Sequence, residues 1–225
     1  MNENIIHIGY LATAYLLLFT SAELLYHKLN IQVEVTRKYV HIVTGILSLL
    51  FPLLLNHHLY VLLLTSSFLI ILVLSLKYNL LNAINGIERK SRGSILYPVI
   101  VYGSFLVYQH YDHLSFYYIP IVILAICDPV AAFVGKKWTK LEYTTFGKKK
   151  TLTGSFGFFV VALVLSVVLL INMENIVFYK ALVIGFSVSL ATAVAEALTH
   201  KGYDNITIPG VAILVLVLSE SIGYI

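Results

Sequence analysis

Three acids stand in mostly apolar surroundings in this chain: Asp128 ahead of Pro129, Glu196, and Asp204 ahead of Asn205. Carboxylates in such places are costly unless a cation meets them. Oxygen donors of this kind suit Mg²⁺, which is typically held by one or two carboxylates plus the phosphates of a substrate. Asp128, Glu196 and Asp204 are therefore candidate metal ligands. For Asp128 and Glu196 the competing reading is a salt bridge to Lys136 or Arg37. Basic residues stand beside them. Arg37, Lys38, Arg92, Lys136 and Lys150 can neutralise phosphate, and His41, one helical turn beyond Arg37 and Lys38, can contact phosphate or carry a proton. An interfacial histidine with its bonds satisfied is the competing reading for His41. Three segments also look like helix starts, whose free N–H groups and partial positive charge bind anions. These are Arg92-Gly93-Ser94, Thr151-Leu152-Thr153-Gly154-Ser155 after Lys148-Lys149-Lys150, and Asn205-Ile206-Thr207-Ile208-Pro209 with Thr207 as cap. Ordinary caps and topology-setting lysines explain any one of them; three on one face favour a phosphate-rich ligand. Lys148-Lys149-Lys150-Thr151 is not a P-loop, because the glycines of that motif are missing.

The elements that must position these groups are read from composition. Of 225 residues, 59% are apolar and 12% are charged, and the mean hydropathy is +0.89. A soluble domain is about half apolar and about a quarter charged. A soluble enzyme, a disordered chain and a basic nucleic-acid module are thereby excluded. The single Cys127 excludes a disulfide framework. An all-α integral membrane protein remains, one domain over residues 1–225 with no soluble domain. About eight spans (seven to eight) fall roughly at 5–26, 40–56, 58–76, 95–110, 116–135, 155–171, 176–198 and 207–223. The N-terminus lacks the basic region of a signal peptide. Of the 15 basic residues, all but Lys180 lie in the loops after odd-numbered spans. The positive-inside rule then predicts both termini outside and the basic loops in the cytoplasm. Asp128 and Glu196 fall near the cytoplasmic ends of spans five and seven.

Four blocks resemble the polyprenol kinase family, which includes phytol, farnesol and dolichol kinases, within a broader phosphatidate cytidylyltransferase-like superfamily. They are Glu34-Val35-Thr36-Arg37-Lys38-Tyr39-Val40-His41; Arg89-Lys90-Ser91-Arg92-Gly93-Ser94 with Tyr97-Pro98; Asp128-Pro129-Val130-Ala131-Ala132 with Gly135-Lys136-Lys137 and Lys150-Thr151-Leu152-Thr153-Gly154-Ser155; and Glu196 with Gly202-Tyr203-Asp204-Asn205-Ile206-Thr207-Ile208-Pro209. The family usually has Glu where this chain has Thr153. The resemblance implies an integral membrane kinase, in a prokaryotic cell membrane with its active site on the cytoplasmic face. It implies transfer of the γ-phosphoryl of a nucleotide, typically CTP, to an isoprenoid alcohol drawn from the membrane lipids, with Mg²⁺ as cofactor. Asp128, Glu196, Asp204 and Asn205 would be catalytic, with Asp204 or Glu196 taking the alcohol's proton. Arg37, Lys38, Arg92, Lys136, Lys150, Thr151, Thr153, Gly154 and Ser155 would bind phosphate. The alternatives are a CDP-lipid synthase, whose C-terminal signature is missing here, and a transporter, whose charges would lie nearer the bilayer midplane.

Overall fold

The computed structural model describes residues 3–86, 93–146, 148–200 and 202–225. In chain order the helices are α1 (Glu3–Lys28), α2 (Val33–Ser48), α3 (Phe51–Leu54), α4 (His58–Lys77), α5 (Asn82–Asn85), α6 (Gly93–Tyr111), α7 (Ser115–Val122), α8 (Asp128–Lys137), α9 (Leu152–Glu174), α10 (Phe178–Leu198) and α11 (Asp204–Ser221). Residues Ile123–Cys127 form a π-helical turn that joins α7 to α8. Two short antiparallel strands, β1 (Glu142–Thr145) and β2 (Lys148–Thr151), connect α8 to α9.

Among the described residues, seven stretches are long and apolar enough to cross a membrane: 3–28, 33–54, 58–77, 115–137, 152–174, 178–198 and 204–221. The eighth expected span is the 19-residue α6. At 1.5 Å per residue it covers about 28 Å, but Gln109, His110 and four tyrosines dilute its apolar character. It packs against α4 and α11. Leu16, Leu17, Leu63, Val164, Val183 and Leu214 all point outward and stay exposed. Apolar surface on this scale marks a chain solvated by lipid, and the fold is that of an all-helical membrane protein.

The stretch 115–137 is the most buried of the seven, with 56% of its most apolar window inside the protein. One core lies on one side of it, where Tyr15, Phe68 and Phe105 pack with Tyr117 and Leu124. The other lies across it, where Phe158, Ile184 and Leu216 pack with Phe116, Ile119 and Ile123. The central helix thus lies between α1, α2 and α4 on one side and α9 and α10 on the other, while α6 and α11 pack on each other directly.

Three expectations change. The second span begins at Val33 rather than near residue 40, so Arg37 and Lys38 are helical rather than in a loop. Long basic side chains near a helix start lay their stems along apolar surface while the charge reaches the interface, so the charges do not end the helix. The fifth span runs on to Lys137, so Asp128 opens α8 after the π turn and lies about 15 Å from the helix end, instead of near it. The last helix begins at Asp204, and the Thr207 hydroxyl donates to the Tyr203 carbonyl within the helix instead of capping it.

The π turn has a local cause. Its bonds run from N–H to the carbonyl five residues back, and the residue five beyond Leu124 is Pro129, which has no N–H. The Leu124 carbonyl is taken instead by His41 Nε2 at 2.8 Å. Gly45, one turn further along α2, permits the approach: a Cβ there would stand 2.2 Å from Ala125 Cβ. Two acids serve as caps. Glu23 accepts from Ala83 N at 2.8 Å at the start of α5, and Glu174 accepts from Ser115 N at 2.9 Å at the start of α7.

Candidate active site

A cavity of about 610 Å³ lies between α2 and α4, which do not pack closely on each other, and is walled by α1 and α6. Its size is that of a small-molecule site, for which about 300–1,000 Å³ is usual. One end is polar. Arg37, Lys38 and His41 come from α2, Gly93 and Ser94 from the start of α6, Asp128 from the start of α8, and Asp204 and Asn205 from the start of α11. Away from these groups the wall is largely apolar, with Phe19, Phe51, Leu64, Phe68 and Leu72.

The polar end is assembled from distant segments by specific bonds. Asn205 Nδ2 donates to the Gly93 carbonyl at 2.8 Å, tying the start of α11 to the start of α6. Gly93 is required there, because a Cβ would lie 2.9 Å from that same nitrogen. Asp204 is the first residue of α11, where a negative charge meets the positive end of the helix dipole. Arg37 pairs with Glu34 at 3.7 Å one turn earlier. Since a carbonyl can only accept, His41 Nε2 carries the proton it donates to Leu124. In the neutral ring this leaves a lone pair on Nδ1, on a side chain that lines the cavity. The charged groups acting on Asp128 are Asp204, His41, Glu196 and Lys38, and Lys38 also feels Lys136.

Six of the residues expected from sequence therefore share one cavity: Arg37, Lys38, His41, Asp128, Asp204 and Asn205. The other expected residues that are described do not line it. Lys136 is exposed on α8. Glu196 is buried at the end of α10, and its Oε1 meets Lys150 Nζ at 2.6 Å. The Glu196 Oε2 has no partner among the described residues. A salt bridge for Glu196 thus exists, with Lys150 rather than Lys136 or Arg37.

The start of α9 satisfies itself. Thr151 Oγ1 accepts from Gly154 N at 3.1 Å, and Leu152 N donates to the Leu141 carbonyl at 3.1 Å. The Thr153 hydroxyl bonds the Trp138 carbonyl, and Ser155 Oγ bonds the Tyr143 hydroxyl at 2.6 Å. Gly154 and Gly135 let α8 and α9 touch; a Cβ on Gly154 would lie 2.8 Å from the Ala131 carbonyl. Arg92 lies outside the described residues.

For Mg²⁺ the fit is that of an open site. Among the described residues no three of His, Cys, Asp and Glu converge as a closed cage. Asp128 and Asp204 nevertheless face one cavity beside two basic side chains, the donor set expected when substrate phosphates complete the coordination.

The apolar half of the cavity, together with Tyr15, Thr44 and Ser48, was not singled out in the sequence. Leu and Phe in a membrane helix carry no local mark that separates a cavity wall from a lipid-facing side.

No family model matches the chain, and no solved structure matches it. Among curated proteins it is similar to a phytol kinase of Synechocystis sp. (strain ATCC 27184 / PCC 6803 / Kazusa), 29% identical over 142 residues, or 62% of this chain. The match spans 59% of that protein's length. Together with the four sequence blocks, this similarity supports a polyprenol/phytol kinase-like family for the chain.

Proposed function

We propose that the chain is a membrane-embedded kinase that transfers the γ-phosphoryl group of a nucleoside triphosphate, CTP first among the candidates, to the hydroxyl of an isoprenoid alcohol. The observation that carries this reading is the two-ended cavity: charged at the end built by α2, α6, α8 and α11, apolar along its depth. An amphiphile with one polar atom and a long hydrocarbon tail matches that shape. The loosely packed α2–α4 wall is the route by which it enters from the bilayer. By the positive-inside rule, the basic loops support a polar end on the cytoplasmic face and both termini on the opposite side.

Phosphoryl transfer demands positioning and charge neutralisation more than covalent chemistry. Arg37 and Lys38 hold the phosphates from α2, and the positive end of the α6 dipole adds to them. Asp128 and Asp204 would hold Mg²⁺, which when bound offsets phosphate charge. The alcohol oxygen attacks the γ-phosphorus, the bond to the β–γ bridging oxygen breaks, and the nucleoside diphosphate leaves. The alcohol proton goes to His41 Nδ1 or to the Asp204 carboxylate. Glu196 pairs with Lys150 and does not line the cavity, which favours His41 or Asp204 for that role.

The test uses purified protein in detergent with Mg²⁺, CTP or ATP labelled at the γ-phosphate or in the base, and a panel of prenols, phosphatidate and buffer. Label from the γ-phosphate appearing as prenyl phosphate is the expected result. Base label appearing in a CDP-lipid, or no lipid product with either nucleotide, overturns the reading.

A further inference from the structure

Resting on this kinase reading, we propose that Tyr15, Phe51, Leu64 and Phe68 form the floor of the lipid cavity and set the longest isoprenoid tail that it accepts. Along α2 and α3 the cavity runs from His41 to Phe51. Ten residues at 1.5 Å give a depth of about 15 Å, roughly half of a hydrocarbon core of about 30 Å. The tail therefore has a bounded space within the protein rather than an open slot across it.

The floor is built to stay in place. The Tyr15 ring meets Phe51 edge-on with centroids 6.3 Å apart and leans on Phe68 at 4.7 Å. Its hydroxyl is held by Ser48 Oγ at 2.9 Å and lies 3.4 Å from the Thr44 carbonyl. Tyr15 is thus fixed at both ends of its side chain. Phe68 is braced in turn by Phe19 at 5.9 Å. Beneath this cluster, Leu11, Leu55 and Val61 are 2%, 1% and 0% exposed and do not line the cavity, so no channel continues past it. Tail length is then read by whether the last isoprene unit meets aromatic rings that cannot move aside. A single methylene in an apolar pocket already changes selectivity by about 10–200-fold.

The experiment compares the wild type, Phe51→Ala, which deepens the cavity, and Leu64→Phe, which makes it shallower. The panel is geraniol, farnesol, geranylgeraniol and a longer polyprenol. Two readouts are taken: competition against tritiated farnesol for binding in detergent, and kcat/KM for phosphoryl transfer. Phe51→Ala should raise the ratio of longest to shortest alcohol at least tenfold, and Leu64→Phe should lower it by a similar factor. An unchanged ratio in folded variants overturns the floor, since the tail would then leave through the α2–α4 wall. If Phe51→Ala does not fold, Leu64→Phe decides, because it fills space rather than emptying it. Binding that follows the floor without any transfer overturns the kinase reading and leaves the floor standing. Absence of binding by every alcohol overturns both.

Discussion

The Lys150–Glu196 pair gives the sharpest test of how the start of α9 and the end of α10 are held together. The ammonium and carboxylate are 2.6 Å apart, with side chains only 14% and 11% exposed. Glu196 Oε2 has no partner among the described residues, so this carboxylate depends on Lys150. Lys150 also donates to the Glu196 backbone carbonyl. That carbonyl keeps Thr199 N and Thr199 Oγ1, both at 3.3 Å, so its loss of one donor adds little. Lys150→Met keeps most of the side-chain volume but strands a buried anion, which costs about 3–5 kcal/mol. Glu196→Gln in the same background removes the charge. It leaves an amide short of partners, at about 1–3 kcal/mol, so much of the loss returns. Unfolding in detergent of the wild type, both single variants and the double variant should show the double variant recovering about 2 kcal/mol of the Lys150→Met loss. Phosphoryl transfer measured on the same four proteins separates a further role: if Lys150 grips phosphate, the double variant regains stability but not activity. A Lys150→Met protein within about 1 kcal/mol of wild type would refute the reasoning, since an exposed pair is worth no more than that.

Three other outcomes are expected. Asp128→Asn should leave the stability unchanged or slightly raised, because it removes a buried carboxylate repelled by the charges of Asp204 and Glu196. It should lower transfer by about 10²-fold or more, and turnover equal to wild type would end the metal-site assignment. His41→Asn should slow transfer by about 10²–10⁴-fold if Nδ1 takes the alcohol's proton; a pre-steady-state chemical step of normal rate would leave that proton to Asp204. Gly45→Ala places a methyl group 2.2 Å from Ala125 Cβ and 2.9 Å from the Tyr97 hydroxyl. Overpacking of this kind costs about 1–3 kcal/mol, and a stabilised variant would contradict the close seat of α2 on the π turn.

What could be read from the sequence followed from long-range composition. Spans of Leu, Val and Ile are specified by the bilayer itself, so their number and rough positions are carried by the residues alone. Their ends are not. Helix α2 begins seven residues earlier than the apolar run suggests, because Glu34, Arg37 and Lys38 are compatible with a helix whose charges reach toward water. The β1–β2 hairpin was not anticipated either. It is held from outside itself, by Thr145 Oγ1 donating to the Ala197 carbonyl at 2.8 Å and by Phe146 stacked on His200 at 5.1 Å. Such contacts arise only once α10 is in place.

The motif residues divide in the same way. Lys150, Thr151, Thr153, Gly154 and Ser155 follow Asp128 closely enough in sequence to look like one site. Yet Lys150 reaches Glu196 on α10, the Thr151, Thr153 and Ser155 side chains bond within the α8–α9 connection, and Gly135 and Gly154 are there for close contact between α8 and α9. Asp204 and Asn205, remote from Asp128 in sequence, are the residues brought to it. The reason lies at Pro129. A proline in mid-span removes one backbone donor, and a buried carbonyl left without a partner costs free energy comparable to a lost hydrogen bond. His41 meets the Leu124 carbonyl and so ties α2 to the break. The same break lets Asp128 open a new helical segment within the membrane-spanning stretch instead of at its end. One residue with no N–H thus links the seating of His41 on the central helix to an acid inside that span, lining the same cavity as Phe68 and Leu72.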